Sequence, residues 1–296
     1  MSGVVLVVGD VINDVVVEPL ESASPNSDTA ARIHHTPGGS GANQAAWLAH
    51  LRQPVRLAAR VGAADAGEHA RNLRAAGVEP RLAVDADLPT GTVICVVDGE
   101  RRSMYTDRGA SAHLSSGDLP SSLLDDAVYL HVSGYALLAD ASREAVLDLV
   151  ARAAARGIAW SVDPASEAGL RALGPRRFLD VSAGAALCLP NADEAAVLAG
   201  VDDQVRAAQV LAASYPVVVV TCGSRGCVLA QRGEPVLEFP APTIDAVDPT
   251  GAGDAFCAGY LAAHIAGAAA VDAARAAVRI GSRCAGRVGG RPTAAR

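Results

Sequence analysis

The segment Asp248-Pro249-Thr250-Gly251-Ala252-Gly253-Asp254 brackets an alanine with two glycines and follows them at once with a carboxylate. An Ala-rich apolar run, Ala255 to Ala270, comes next. Alanine is the strongest helix former and no proline interrupts the run, so the pattern predicts a buried helix beginning at this turn. A Gly-Ala-Gly turn entering a helix leaves the N–H groups of Gly251, Ala252 and Gly253 without intrahelical partners. With the positive end of the helix dipole they form a site for an anion such as a migrating phosphoryl group. Asp254, in the first turn, then stands beside the developing charge, placed to accept the proton of an attacking hydroxyl as a general base. The same residues also read as a helix cap and a tight turn, and the local sequence leaves both readings open.

A second Gly-rich turn, Pro37-Gly38-Gly39-Ser40-Gly41-Ala42-Asn43-Gln44, enters another Ala-rich helix. Three further segments carry turn glycines or acids at strand ends. Val4–Val8 runs into Gly9-Asp10-Val11-Ile12-Asn13-Asp14; then come Asn191-Ala192-Asp193-Glu194 and Thr221-Cys222-Gly223-Ser224-Arg225-Gly226. Together, in their order along nearly the whole chain, the five segments resemble the signature regions of the ribokinase/PfkB family of carbohydrate kinases.

The resemblance implies transfer of the γ-phosphate of Mg-ATP to a sugar hydroxyl, with Asp254 as base and Gly251–Gly253 as anion hole. It assigns Asp14, Gly38, Gly39 and Asn43 to the sugar. Asn191 and Glu194 would hold the water shell of Mg²⁺, and Thr221, Gly223, Ser224 and Gly226 would meet ATP. Asp248 and Thr250 match positions that coordinate K⁺ in ribokinase-like enzymes, with Arg283–Thr293 completing that site and the adenine wall. Plainer readings stand beside each of these. Asp14 is also a strand-end charge, Asn43 a helix cap, and Asn191 with Glu194 an N-cap and capping-box acid at the usual spacing. Arg108 reads as an arginine on the lid surface, with recognition of an acidic substrate group as the alternative. Tyr135 reads either as a substrate contact or as a partly buried core residue.

Three departures separate this chain from particular branches of the family. Ser40 stands where ribokinases usually carry lysine, and Ser133-Gly134-Tyr135 supplies no glutamate after its strand. Asp163-Pro164-Ala165-Ser166-Glu167 replaces the Asp-x-Asn-x-Arg of the keto-deoxy-gluconate and fructose kinase branches. The alternatives within reach are a nucleoside kinase of the same fold, disfavoured by few aromatics for base stacking, and a non-catalytic sugar or nucleotide sensor. A dinucleotide-binding oxidoreductase lacks its fingerprint, because no G-x-G-x-x-G opens the first helix.

These residues need a scaffold. Apolar runs at Val4–Val8, Val128–Val132, Ile158–Val162, Ala186–Leu189 and Val217–Thr221 read as strands buried on both faces. The stretches Gln44–Leu51, Glu68–Ala76, Ser142–Arg156, Glu194–Ala199 and Val205–Ser214 read as helices between them. The alternation predicts one α/β domain over residues 1–296, a ribokinase-like doubly wound sandwich with a mostly parallel central sheet. Short strands at Asp14–Val17 with Thr29–Thr36, and at Gly91–Val97 with Arg102–Thr106, cannot join that sheet without crossovers. They predict a small separate sheet, about residues 14–36 and 91–107, with a hairpin at Asp98-Gly99 and a loop over Leu20–Asp28. In the resembled family this sheet is a lid over the sugar and a homodimer contact.

Half of the 296 residues are hydrophobic but only 3% are aromatic, so Ala, Val and Leu must build the core. A net charge of −7 argues against nucleic-acid binding. No uncharged run of membrane-spanning length and no basic-then-apolar leader is expected to send the chain to or through a membrane. The six cysteines form no C-x-x-C pair and suit reduced thiols in the cytoplasm. Cys222 and Cys227 bracket a turn without a histidine pair, which argues against zinc.

Overall fold

The computed structural model describes residues 3–22, 26–98 and 101–292. Its strands in chain order are β1 (Val4–Val8), β2 (Ile12–Pro19), β3 (Ala31–Gly38), β4 (Val55–Gly62), β5 (Glu79–Asp85), β6 (Thr90–Asp98) and β7 (Arg101–Gly109). They continue as β8 (Ala127–Ser133), β9 (Trp160–Asp163), β10 (Leu187–Cys188), β11 (Val217–Thr221), β12 (Cys227–Gln231) and β13 (Leu237–Phe239). Nine of them form one sheet in the order β13-β12-β11-β10-β9-β8-β1-β4-β5. All its pairings from β5 to β11 are parallel; β12 and β13 add an antiparallel edge.

β1 shows why such strands read as unbroken apolar runs. Leu6 and Val8 face one buried cluster while Val5 and Val7 face another on the opposite side of the sheet. Both faces are covered, so alternation has no polar phase. β1 lies between β4 and β8, and the chain leaves it in opposite directions; the crevice at the carboxyl ends there is where a doubly wound sheet binds ligands.

β4 and β5 were not expected from the sequence. β4 carries Arg56 and Arg60 inside its apolar run, and both are paired within the fold, Arg56 with Glu79 and Asp126, Arg60 with Asp85 and Asp118. The Ala255–Ala270 run is also two elements. The helix Ala252–Ile265 stops before Gly267, whose φ of +89° ends it, and a second helix spans Ala270–Ala285.

The remaining four strands form a separate sheet in the order β3-β2-β6-β7. Two antiparallel hairpin pairings flank one parallel pairing, β2 with β6. Asp98 pairs with Arg101 at the expected hairpin, whose Gly99 lies outside the described residues, as does part of the Leu20–Asp28 loop. The period of two puts Asp14, Val93, Met104 and Arg108 on the face toward the crevice, and Val15, Val17, Ile33, Ile94 and Tyr105 on the other.

Candidate functional site

The two Gly-rich turns meet at the crevice because their glycines allow backbone to touch backbone. Gly39 has φ +96°, and a Cβ there would come 2.6 Å from the Asp10 carbonyl oxygen. Gly251 has φ +72°, and its Cβ would fall 2.4 Å from the Cα of Gly290. The helices Ser40–His50 and Ala252–Ile265 thus present their first turns to each other. Ser40 Oγ donates to Asp254 Oδ1 at 2.7 Å and Asn43 Nδ2 donates to Asp254 Oδ2 at 3.0 Å. Burial raises the Asp254 carboxyl to about 8, helped by the charges of Asp163 and Asp10 and opposed by the Asn43 and Ser40 bonds. A carboxylate so placed is basic enough to take a proton near neutral pH.

Of the three N–H groups expected to meet an anion, that of Ala252 is already taken. Ala252 N–H is engaged by the Pro249 carbonyl at 3.1 Å, and the residue lines the neighbouring cleft. The N–H groups of Gly253 and Asp254 meet no protein acceptor among the described residues.

A cleft of about 530 Å³ runs from the small sheet to this point. It gathers Asp14, Gly39, Asn43, Asn191, Glu194, Thr221, Thr250, Gly251, Gly253 and Asp254 from the residues singled out in the sequence. Gly38 does not line it; a Cβ there would lie 2.0 Å from the Asp14 carboxylate, so this glycine makes room for Asp14. Asp14 itself is raised to about 6, first by burial and then by Asp10, with Arg291 and Arg108 opposing. Arg108 is no lid-surface residue: it enters the cleft, pairs with buried Asp10 at 2.8 Å, and lies 3.3 Å over the ring of Tyr135. Tyr135 is half-buried in the cleft wall beneath it.

A second cleft of about 440 Å³ shares Thr221, Pro249, Gly253 and Phe256 with the first and is lined by Gly223, Ser224 and Gly226. The segment Ala241–Ile244 and residues Val278, Gly281, Ser282 and Ala285 form its apolar far wall. At the junction Asn191 caps the helix Ala192–Ala199, and Asn191 and Glu194 form both halves of a capping box. Glu194 is nonetheless buried in the cleft wall and pushed up to about 8, by desolvation and by the charges of Asp163, Asp193 and Asp254. The capping reading holds, and the same two side chains line the first cleft.

Asp248 lines neither cleft; its oxygens accept from Thr250 N–H at 2.9 Å and Gly289 N–H at 3.0 Å. The Arg283–Thr293 stretch divides. Ala285 reaches the second cleft and Gly289 meets Asp248, while Thr293 lies outside the described residues. Gly290 accepts from the buried indole of Trp47 at 2.9 Å, and Arg291 donates to Asn43 Oδ1 at 3.0 Å and to the Gly38 carbonyl at 2.8 Å. Burial lowers the Arg291 guanidinium to about 10 against the pull of Asp14, Asp254 and Asp10.

Sequence reasoning missed Asp10, Gln44 and Asp163 as members of this site, and it placed Arg291 only within the Arg283–Thr293 stretch expected at the cation and the adenine, not against Asn43 and Gly38. Asp10 was within reach, two residues beyond β1 in a quoted motif. No helix among the described residues is long and apolar enough to cross a membrane, and no group of three His, Cys, Asp or Glu among them is arranged to hold a metal ion.

Residues 3–295 match the model of the pfkB family carbohydrate kinases. A fructokinase of Klebsiella pneumoniae is 34% identical over 277 residues, 88% of this chain and 84% of that protein. The structure of adenosine kinase from Sinorhizobium meliloti superposes with a TM-score of 0.88 at 23% identity, covering 99% of this chain and 96% of that one. A putative ribokinase II from E. coli, solved with ATP and Mg²⁺, gives 0.85 at 23% identity over 97% and 94%. The match over nearly all 296 residues, together with the paired turns that converge on Asp254, makes the conclusion plain: the chain belongs to the pfkB family of carbohydrate kinases.

Proposed function

We propose that this protein transfers the γ-phosphoryl group of ATP to a sugar hydroxyl, with Asp254 as general base. The observation that carries this reading is the Asp254 carboxylate, held by Ser40 and Asn43 beside the wall that both clefts share. Sugar in the first cleft and nucleotide in the second would meet there. The hydroxyl oxygen attacks the γ-phosphorus, Asp254 takes its proton, the bond to the β-phosphate oxygen breaks, and ADP leaves. Free N–H groups at Gly253 and Asp254 face the charge that spreads over the transferring oxygens.

The sugar would be held by Asp14 and Asn43, in the room left by Gly38 and Gly39. Arg108 is already matched by Asp10 and stacked on Tyr135, which favours a neutral polyol over an acidic sugar. Domain 1–296 would close over it through the sheet of about residues 14–36 and 91–107, excluding water. The same stacking covers the one cleft-lining aromatic that a nucleobase would use besides Phe256, which disfavours a nucleoside.

The donor set suits a hard divalent cation. Asp163 and Glu194 are both pushed up by burial and by neighbouring carboxylates, so added positive charge relieves their repulsion. Asn191 and Glu194 would hold Mg²⁺ through its waters, since this ion keeps several and takes few protein ligands. When bound it supplies charge neutralisation at the phosphates. A K⁺ near Asp248 and Thr250 would rigidify the turn carrying Gly251, and the bonds of the Asp248 carboxylate to Thr250 N–H and Gly289 N–H pre-shape that turn. Unpaired thiols at all six cysteines support a cytoplasmic enzyme. Exposed Ile33, Ile94 and Tyr105 on the outer face of the small sheet support a homodimer through it, testable by sedimentation of Tyr105→Arg.

A coupled ADP-release screen over pentoses, hexoses, sugar acids and nucleosides tests the proposal. Turnover on at least one neutral sugar, lost in Asp254→Asn, is expected. Turnover on nucleosides alone, or none on any acceptor, overturns it.

A further inference from the structure

Behind Ser40 the structure holds a line of polar side chains that phosphoryl transfer does not itself require. Gln44, wholly buried, donates from Nε2 to Asp163 Oδ2 at 2.6 Å and to Ser40 Oγ at 3.0 Å. Its Oε1 lies 3.0 Å from His131 Nε2, and His131 Nδ1 lies 2.7 Å from Ser161 Oγ. His131 and Ser161 are fully buried on neighbouring strands β8 and β9.

The proton positions follow from the chemistry at one end. An ionised Asp163 only accepts, so the Gln44 amide must turn its NH₂ toward it and its carbonyl toward His131. That carbonyl also only accepts, so His131 carries its proton on Nε2. Nδ1 then has a lone pair for the Ser161 hydroxyl. Ser40, receiving from Gln44, has its single hydrogen left for a carboxylate: Asp254 Oδ1 takes it at 2.7 Å, with Asp163 the other carboxylate within its reach. The chain is directional: Ser161 to His131, His131 to Gln44, Gln44 to Ser40, Ser40 to Asp254. Bonds aligned in one direction polarise one another, and in a dry interior this strengthens the last of them. A hydroxyl whose lone pair is already engaged cannot swing away from the base.

We propose that Gln44 and His131 are positioning residues, which act through Ser40 to hold the Asp254 carboxylate in its acceptor geometry and to favour its ionised form. This rests on the reading of Asp254 as the base. Other charged or titratable groups facing Asp254 are Asp10, Asp163, Glu194 and Arg291, with the buried Cys257 and Cys284 nearby. Cys257 Sγ lies 3.6 Å from His131 Nε2 and is a weak second acceptor for its proton.

The test is the pH profile of kcat/KM together with kcat at pH 7 in Gln44→Met, which keeps the volume and removes both polar ends. The expected result is about a tenfold fall in kcat, the size of one lost buried hydrogen bond. The acid limb should move to higher pH by about half a unit or more, with KM for Mg-ATP unchanged. Ser40→Ala should do the same and Ser40→Thr should restore most of it, which keeps the test open should Gln44→Met not fold. Nitrogen-15 NMR of the imidazole supplies a readout independent of turnover: His131 should show the Nε2–H tautomer without titrating between pH 5 and 9. An unshifted limb with unchanged kcat in folded Gln44→Met and Ser40→Ala, or an Nδ1–H tautomer, overturns the inference. Asp254→Asn separates the two levels: if it stays active, the base assignment fails; if it is inactive while Gln44→Met is normal, only the relay fails.

Discussion

Replacing Asp254 by asparagine should damage catalysis and stabilise the fold, and the two effects follow from one number. The carboxyl is raised from an ordinary 3.8 to about 8, mainly by burial. A folded-state value above the unfolded one means that ionisation opposes folding. The contribution is neutral below about pH 4 and becomes increasingly unfavourable as pH rises toward 8. At about 1.4 kcal/mol per pH unit the ceiling is roughly 5–6 kcal/mol. Asp254 lines an open cleft, so water lowers that ceiling. Asparagine also turns an NH₂ against the Asn43 amide, which forfeits a hydrogen bond of about 1 kcal/mol.

The expected net gain is therefore roughly 1–2 kcal/mol at pH 8, or a rise in Tm of about 2–3 °C for a chain of this size. At pH 4 the gain should vanish or reverse. Over the same range kcat should be about two to four orders of magnitude below wild type, and the acid limb of kcat/KM near pH 8 should disappear. Thermal melts at pH 4, 6 and 8 with coupled ADP-release kinetics measure both. A variant that keeps wild-type kcat removes Asp254 from the proton transfer. One that is inactive but destabilised equally at every pH shows a structural aspartate, with no strained charge to relieve.

Asp14→Ala should raise the sugar KM about ten- to a hundredfold, the loss expected for a charged hydrogen bond, and leave the ATP KM nearly unchanged. Because Asp14 is raised to about 6 and accepts hydroxyls at both oxygens, with the help of its charge, only when ionised, wild-type sugar affinity should also weaken as pH falls through 6; a KM flat from pH 5 to 8 contradicts this. Gly251→Ala forces a side chain into φ +72° and to 2.4 Å from Gly290, so kcat should fall at least tenfold and Tm should drop, whereas Gly253→Ala, with open space around it, should fold as wild type. Rates in K⁺ should exceed those in Na⁺ or a large organic cation at equal ionic strength, and Asp248→Ala should erase the difference; equal rates in all three salts dispense with the ion.

What could be read without coordinates was whatever the chain states locally. The Gly-rich turns, β1, β11 and the capping-box spacing depend on residues within a few positions of one another, and they sit where the sequence puts them. β4 defied the same logic because its arginines are satisfied by Glu79, Asp85, Asp118 and Asp126, partners that no local pattern announces. His131 poses that problem in its sharpest form. In the run Val128–Val132 it is one polar residue in an apolar strand, and a solvated reading would turn it outward; instead burial lowers it to about 3 and keeps it neutral at the end of a hydrogen-bond chain. Gln44 shows the reverse case. It was read as a helix residue beside a motif, yet it contacts strand β9 119 positions away and β8 87 positions away. A buried polar side chain must find partners. When its neighbours in sequence offer none, the fold must supply them, and a Gln or His inside an apolar run is then a prompt to ask which distant groups share its hydrogens. Asked of this chain, that question leads from strands β8 and β9 to Asp254.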